Sequence, residues 1–153
     1  MNDKEFKVVA TNRKARHDYF LMDEVEAGIE LKGSEIKSIR AGQVSLREAY
    51  VQTDGQEAWL MGAHVAPYEA ASHYNHDPIR PRRLLLHKRQ IIKLYNEVRQ
   101  GGLTIIPTRM YIKSGKAKVE IALAKGKKKY DKRQKIAERD AQRKIAREKG
   151  RRR

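Results

Sequence analysis

Residues 48–63, EAYVQTDGQEAWLMGA, decide the fold class. Glu48 to Gln52 and Gln56 to Ala63 carry aromatic, β-branched and other apolar residues, and Thr53-Asp54-Gly55 divides them. An Asp-Gly pair between two such runs is among the strongest short-range hairpin signals, because both residues tolerate the positive φ that a tight turn demands. A second hairpin reads further on: Leu103 to Ile112 and Ala117 to Ala124 alternate on either side of Lys113-Ser114-Gly115-Lys116.

Working outward, Phe6 to Ala10 (FKVVA) predicts a short strand, Thr11 to Arg16 (TNRKAR) a polar loop, and Tyr19 to Leu31 two strand segments broken at Gly28. Gly33-Ser34 opens a helix of about two turns, marked by Ile36, Ile39 and Arg40 and closed by Ala41-Gly42. Pro67 to Pro81 holds three of the four prolines without a period of either kind, which predicts a long loop. Ile91, Ile92, Leu94, Tyr95 and Val98 keep a 3.6-residue stripe through Lys88 to Gln100, a helix that Gly101-Gly102 stops. About six strands, some in hairpins, with two to three helices predict a mainly β chain. Antiparallel strands that must hide their edges in a small protein point to an OB-fold-like barrel, with a sandwich as the alternative.

Charge divides the chain. Of the net +16, residues 125–153 carry +11, from 15 basic and 4 acidic residues. The expectation is a body over 1–124 and a basic C-terminal tail over 125–153. Ile136 and Ile145 are the tail's large apolar residues, too few to bury it extensively against the body. It is expected to be disordered in solution and helical where an RNA surface neutralises its lysines and arginines, with Asp131 and Gln134 forming a capping-box-like start. A dense cationic segment gains affinity for nucleic acid by releasing condensed counterions. A solubilising tail is the alternative.

Several function classes recede. The chain has no cysteine, so disulfides, thiolate metal sites and a cysteine nucleophile are excluded. It shows no signal-peptide pattern and no run of 18 apolar residues, which predicts a cytoplasmic protein without a membrane partner. His73 and His76 fit no zinc spacing and read as polar loop residues; no hydrolase, metalloprotease, Walker or dinucleotide motif occurs. No enzyme activity, metal or cofactor is expected. Asn12, Arg13, Arg16 and His17 bring an amide, guanidinium forks and an imidazole to one loop, groups suited to clamping phosphate and stacking on bases. Arg80, Arg82 and Arg83 beside Leu84 to Leu86 predict a cationic edge next to apolar surface. Tyr130 stands alone among charges, where a base is its most economical stacking partner.

The strings NRKARHDYF (12–20), EAGIELKGSEIKSIRAGQVSL (26–46), PRRLLLHKRQI (81–91) and AKGKKKYDKR (124–133) resemble the SmpB, or SsrA-binding protein, family across nearly the whole chain. The resemblance implies an OB-fold-like barrel that grips the tRNA-like domain of tmRNA. It also implies arrival at stalled ribosomes together with elongation factor Tu and GTP, and a tail that occupies the small-subunit decoding centre and the vacant mRNA channel. It places the tmRNA grip on Glu26, Arg40, Leu85 and Lys118, with Asn12, Arg13, Arg16 and His17 alongside. The ribosome-binding tail signal falls on Gly126, Lys127, Lys128, Tyr130, Asp131, Lys132 and Arg133. A monomer is expected.

Overall fold

The computed structural model describes residues 5–68, 75–127 and 131–151, and for 131–137 it describes the backbone alone. In chain order the elements are β1 (Phe6–Thr11), α1 (Arg13–Asp18), β2 (Tyr19–Ile29), α2 (Gly33–Arg40), β3 (Val44–Ser45), β4 (Tyr50–Thr53), β5 (Ala58–Met61), β6 (His64–Val65), β7 (Arg82–Leu85), α3 (Lys88–Arg99), β8 (Leu103–Lys113), β9 (Lys116–Gly126) and α4 (Asp131–Arg151). Strands β3 and β6 form a separate short pair.

From β8 the antiparallel pairings run through β4, β5, β7, β2 and β9 and return to β8, while β1 adds to the margin of β8. Six strands thus pair in a ring, as the barrel expectation has it and the sandwich alternative does not. Both hairpins form where their turns are written. Asp54 Oδ1 accepts the backbone N–H of Gln56 and Glu57, and Gly55 takes φ +90°. Ser114 and Gly115 both take positive φ, the geometry that matches the twist of flanking strands. Inward-facing Val51, Leu60, Leu84, Ile112, Val119 and Ile121 fill the ring, and Ile39 of α2 with Ile91 and Leu94 of α3 complete the core. Each such side chain contributes roughly 1.5–3 kcal/mol on burial.

Several expectations differ from the structure. Thr11 to Arg16 is not loop but leads into α1: Asn12 Oδ1 accepts the Ala15 N–H at 3.1 Å, while Asn12 Nδ2 donates to the Pro107 carbonyl at 2.9 Å. A distant strand therefore seats the cap, a partner that local sequence does not reveal. Strand β2 is unbroken at Gly28; its irregularity lies between Met22 and Val25, where Asp23 takes φ +52°. Gly28 has a packing reason instead, since a Cβ there would sit 3.2 Å from Leu85 Cβ.

Two of the three arginines of the predicted cationic edge are internal. Arg82 is fully buried and donates to Glu35 at 2.6 Å, and Arg80 reaches the same carboxylate at 2.7 Å. Arg83 pairs with Glu30 and Glu57. Burial raises the pKa of Glu35, but hydrogen bonds and charge from Arg80 and Arg82 outweigh it and hold the carboxyl below the ordinary range. The predicted cationic edge is neutralised by acids that lie far off in sequence. His76 is likewise internal: Nε2 donates to the Val65 carbonyl at 2.9 Å and Nδ1 meets Ser34 Oγ at 2.8 Å. His73 lies outside the described residues.

The tail, expected to be disordered, contains α4, which lies on the outer face of the β4–β5 hairpin. Ala141 is completely buried in a cluster with Trp59 and Met61, with Ile145 packed beside it. Lys149 pairs with Asp54 and Glu57, and Glu148 with Arg80. Counting large apolar side chains missed this contact, because it is a small residue that lets the helix backbone approach. The body also runs past residue 124: β9 continues to Gly126, and Lys127 N–H donates to the Asp18 carbonyl at 3.1 Å.

Candidate RNA-binding surfaces

Three neighbouring strands bring Glu26, Leu85 and Lys118 to one groove of about 450 Å³, lined also by Arg83 and His87. The register explains the meeting. Gly28 pairs with Leu85 on one side and Lys118 on the other, and Glu26, two residues earlier on β2, shares the face of Gly28. Leu85 keeps 48% of its surface exposed, an apolar platform in a groove that Leu84, Leu86 and Ile91 also line.

Glu26 Oε1 accepts from the Tyr111 hydroxyl and from Lys113 Nζ, the latter at 3.3 Å. The Tyr111 hydrogen bond foremost, opposed by burial and aided by Lys113 and Lys118, holds the Glu26 carboxyl below its ordinary pKa. Burial, then the bond to Glu26, pushes Tyr111 upward. At neutral pH the pair is therefore a fixed donor and a fixed carboxylate. An ammonium for phosphate, an exposed apolar side chain for an unstacked base and an ionised acceptor for base or ribose donors stand together, as recognition of a non-helical RNA segment requires.

Arg40 lies outside the groove lining, at the turn of the β8–β9 hairpin. Its Nη2 donates to the Gly115 carbonyl at 2.8 Å, and Lys113, on the same turn, carries the contact to Glu26. The turn thus links Arg40 to the groove's margin.

Residues 12–17, grouped with these in the sequence, lie elsewhere. Asn12 is buried, with Oδ1 and Nδ2 both engaged within the protein, so it positions α1 and presents no contact group. Arg13, Arg16 and His17 are exposed on α1, and His17 Nδ1 lies 3.0 Å from the Asp18 carboxylate. They stand at the start of β2, roughly 30 Å along the strand from Gly28 at ~3.3 Å per residue. The root of the tail is at this end: Gly126 pairs with Tyr19, and Lys127 Nζ lies 4.9 Å from the centre of the exposed Phe20 ring. Lys128 and Tyr130 lie outside the described residues. Asp131, Lys132 and Arg133 form the first turn of α4, their backbone alone being described.

Residues 9–151 match the family model for SmpB protein. The chain belongs to the SmpB family. It is 53% identical over 141 residues to an SsrA-binding protein of Desulforudis audaxviator, covering 92% of each chain. It is 57% identical over 147 residues to that of Roseiflexus sp., covering 95% of this chain and 92% of the relative. A chain of a solved structure described as "tmRNA-SmpB: a journey to the center of the bacterial ribosome" is similar at TM-score 0.67 and 44% identity, covering 88% of this chain and 94% of that one. This is a family of RNA-binding proteins, not of enzymes. Among the described residues no helix is long and apolar enough to cross a membrane, and no three His, Cys, Asp or Glu gather as a metal site.

Tyr111 and Lys113 escaped the sequence reading, although a signal for them existed. A turn centred on Ser114 and Gly115 sets Lys113 opposite Lys116 and Tyr111 opposite Lys118, as the structure has them. Carrying that register outward would have placed Tyr111 beside the Lys118 already singled out.

Proposed function

We propose that this protein binds the tRNA-like domain of tmRNA and delivers it to stalled ribosomes for trans-translation. The observation that carries the reading is the convergence of Glu26, Leu85 and Lys118 on one groove in a chain more than half identical to SsrA-binding proteins. Lys118 and Arg40 take phosphates, Leu85 an unstacked base, and ionised Glu26 a base or ribose donor. Arg13, Arg16 and His17 of α1, together with the tail root at Lys127, form a second basic surface at the other end of the barrel, suited to ribosomal RNA.

The tail, from Lys128 through Tyr130 and the Asp131-Lys132-Arg133 turn, reads the decoding centre and the empty mRNA channel. Elongation factor Tu with GTP joins through the aminoacylated tmRNA, and the protein acts as a cytoplasmic monomer. The separation of the two surfaces supports this division of labour, because one end holds the delivered RNA while the other faces the ribosome. Binding to tmRNA and to an unrelated structured RNA over a salt series tests the reading. A preference for tmRNA that persists at each salt concentration is expected, and equal affinity for the two RNAs would end it.

A further inference from the structure

Five neighbouring strands share one row of cross-strand partners. Val8 of β1 lies opposite Tyr111 of β8, Tyr111 opposite Lys118 of β9, Lys118 opposite Gly28 of β2, and Gly28 opposite Leu85 of β7. Opposed residues point to the same side of a sheet, so the row lies on a single outer face, about 19 Å long at ~4.8 Å per strand. The groove of Glu26, Leu85 and Lys118 takes the β9, β2 and β7 end of that face. The β8 and β1 end lies beyond it.

That end is aromatic. Phe6, two residues before Val8, points to the same side, and its ring centre lies 4.8 Å from that of Tyr111, the planes inclined by 33°. The Arg109 guanidinium stands 5.0 Å from the Tyr111 ring centre and 5.5 Å from that of Phe6, attracted by both rings, and Glu120 Oε2 holds its Nη2 at 3.3 Å. Tyr111 is buried with its hydroxyl on Glu26, whereas Phe6 keeps 50% of its surface exposed and Val8 43%. A single exposed apolar side chain is ordinary on a protein surface. Phe6 differs because its ring is oriented by two partners, one of them bonded to the carboxylate of the groove.

We propose that Phe6 is a stacking platform for an unpaired base of the bound RNA, so that the RNA-binding face runs on from the Glu26 groove across Tyr111 to the margin of β1. This role rests on the tmRNA reading above and adds to it a nucleotide beyond the groove. An exposed ring face accepts any base. Lys118, opposite Tyr111, and Lys113, two residues along β8, stand where the phosphates of a strand leaving the groove pass. Arg109 is a positioning residue, which ties the two rings together while Glu120 fixes its own place. Phe6 and Val8 are too small a patch for a stable protein partner, which covers about 800 Å² on each side.

Affinities of the full-length wild type, Phe6→Leu and Phe6→Trp for tmRNA and for an unrelated structured RNA test the platform. Leucine keeps an apolar cover on Tyr111 but offers no ring. Phe6→Leu should therefore weaken tmRNA binding about five- to tenfold. The slope of log affinity against log salt should stay as in the wild type, since no phosphate contact is lost. Phe6→Trp should bind at least as tightly as the wild type, and the emission it adds to that of the buried Trp59 should be quenched at saturating tmRNA. Wild-type affinity in Phe6→Leu, an equal loss in Phe6→Trp, or added emission that tmRNA leaves unchanged would overturn the platform. A wild type without preference for tmRNA would instead end the tmRNA reading. The ratio of wild-type to Phe6→Leu affinity is measurable on either RNA, so the two failures are told apart.

Discussion

Glu35 shows what a single residue does in this fold. Its Oε1 accepts the Lys32 N–H that opens α2, and the same buried carboxylate holds Arg80 and Arg82. Replacing it by glutamine leaves the Arg82 charge buried without its counterion, so Glu35→Gln should cost about 3–5 kcal/mol in urea unfolding. The pH sign follows from its lowered folded pKa. The carboxylate's contribution is present above the unfolded value near ~4.3 and is lost as pH falls through the lower folded value. Wild-type stability measured down this range should fall more steeply than that of Glu35→Gln. In the groove, Lys118→Ala should weaken tmRNA binding and reduce the slope of log affinity against log salt by about 1, because one phosphate contact is removed. An unchanged slope would place Lys118 away from phosphate.

Among the elements, α1 looks like loop in the sequence because TNRKAR is short, polar and basic, and its cap is completed by Pro107 on β8. Asn12→Ala should cost about 1–2 kcal/mol from the lost cap. Since α1 lies at the far end of the barrel from the Glu26 groove, tmRNA affinity should stay within about twofold while ribosome tagging falls, a split that paired binding and tagging assays measure. A parallel loss in both assays would merge the two surfaces into one. The hairpins were legible at this scale, since Asp54-Gly55 and Ser114-Gly115 name their own turns and so fix two of the ring's pairings. The β7 pairings that complete the ring were not, because Arg82–Leu85 must find β5 and β2 across long loops.

At the scale of the molecule, the proposed division of labour gives one RNA to the barrel and another to the tail. Truncation after Lys127 should leave tmRNA binding largely intact and abolish tagging, as read by gel shift and by tagging of a stalled message. The same truncation should redden Trp59 emission, because it removes the cover over β5. Loss of tmRNA binding on truncation would mean that the tail carries part of the grip.

The residues by themselves determined what is local or additive: the two turns, the α3 stripe with its Gly101-Gly102 stop, the mainly β class, and the concentration of positive charge in the C-terminal segment. Composition and period carry these because each depends on neighbours within a few positions. Tertiary structure alone decided which charges are free. Arg80, Arg82 and Arg83 read as a binding edge until acids from distant segments met them, whereas Lys118 and Leu85 meet in one groove only because Gly28 draws three strands together. It also decided where the tail rests: AWLM at 58–61 marks a strand buried on both faces, but burial is a property of what packs against a residue, and the helix that packs there begins 70 residues later.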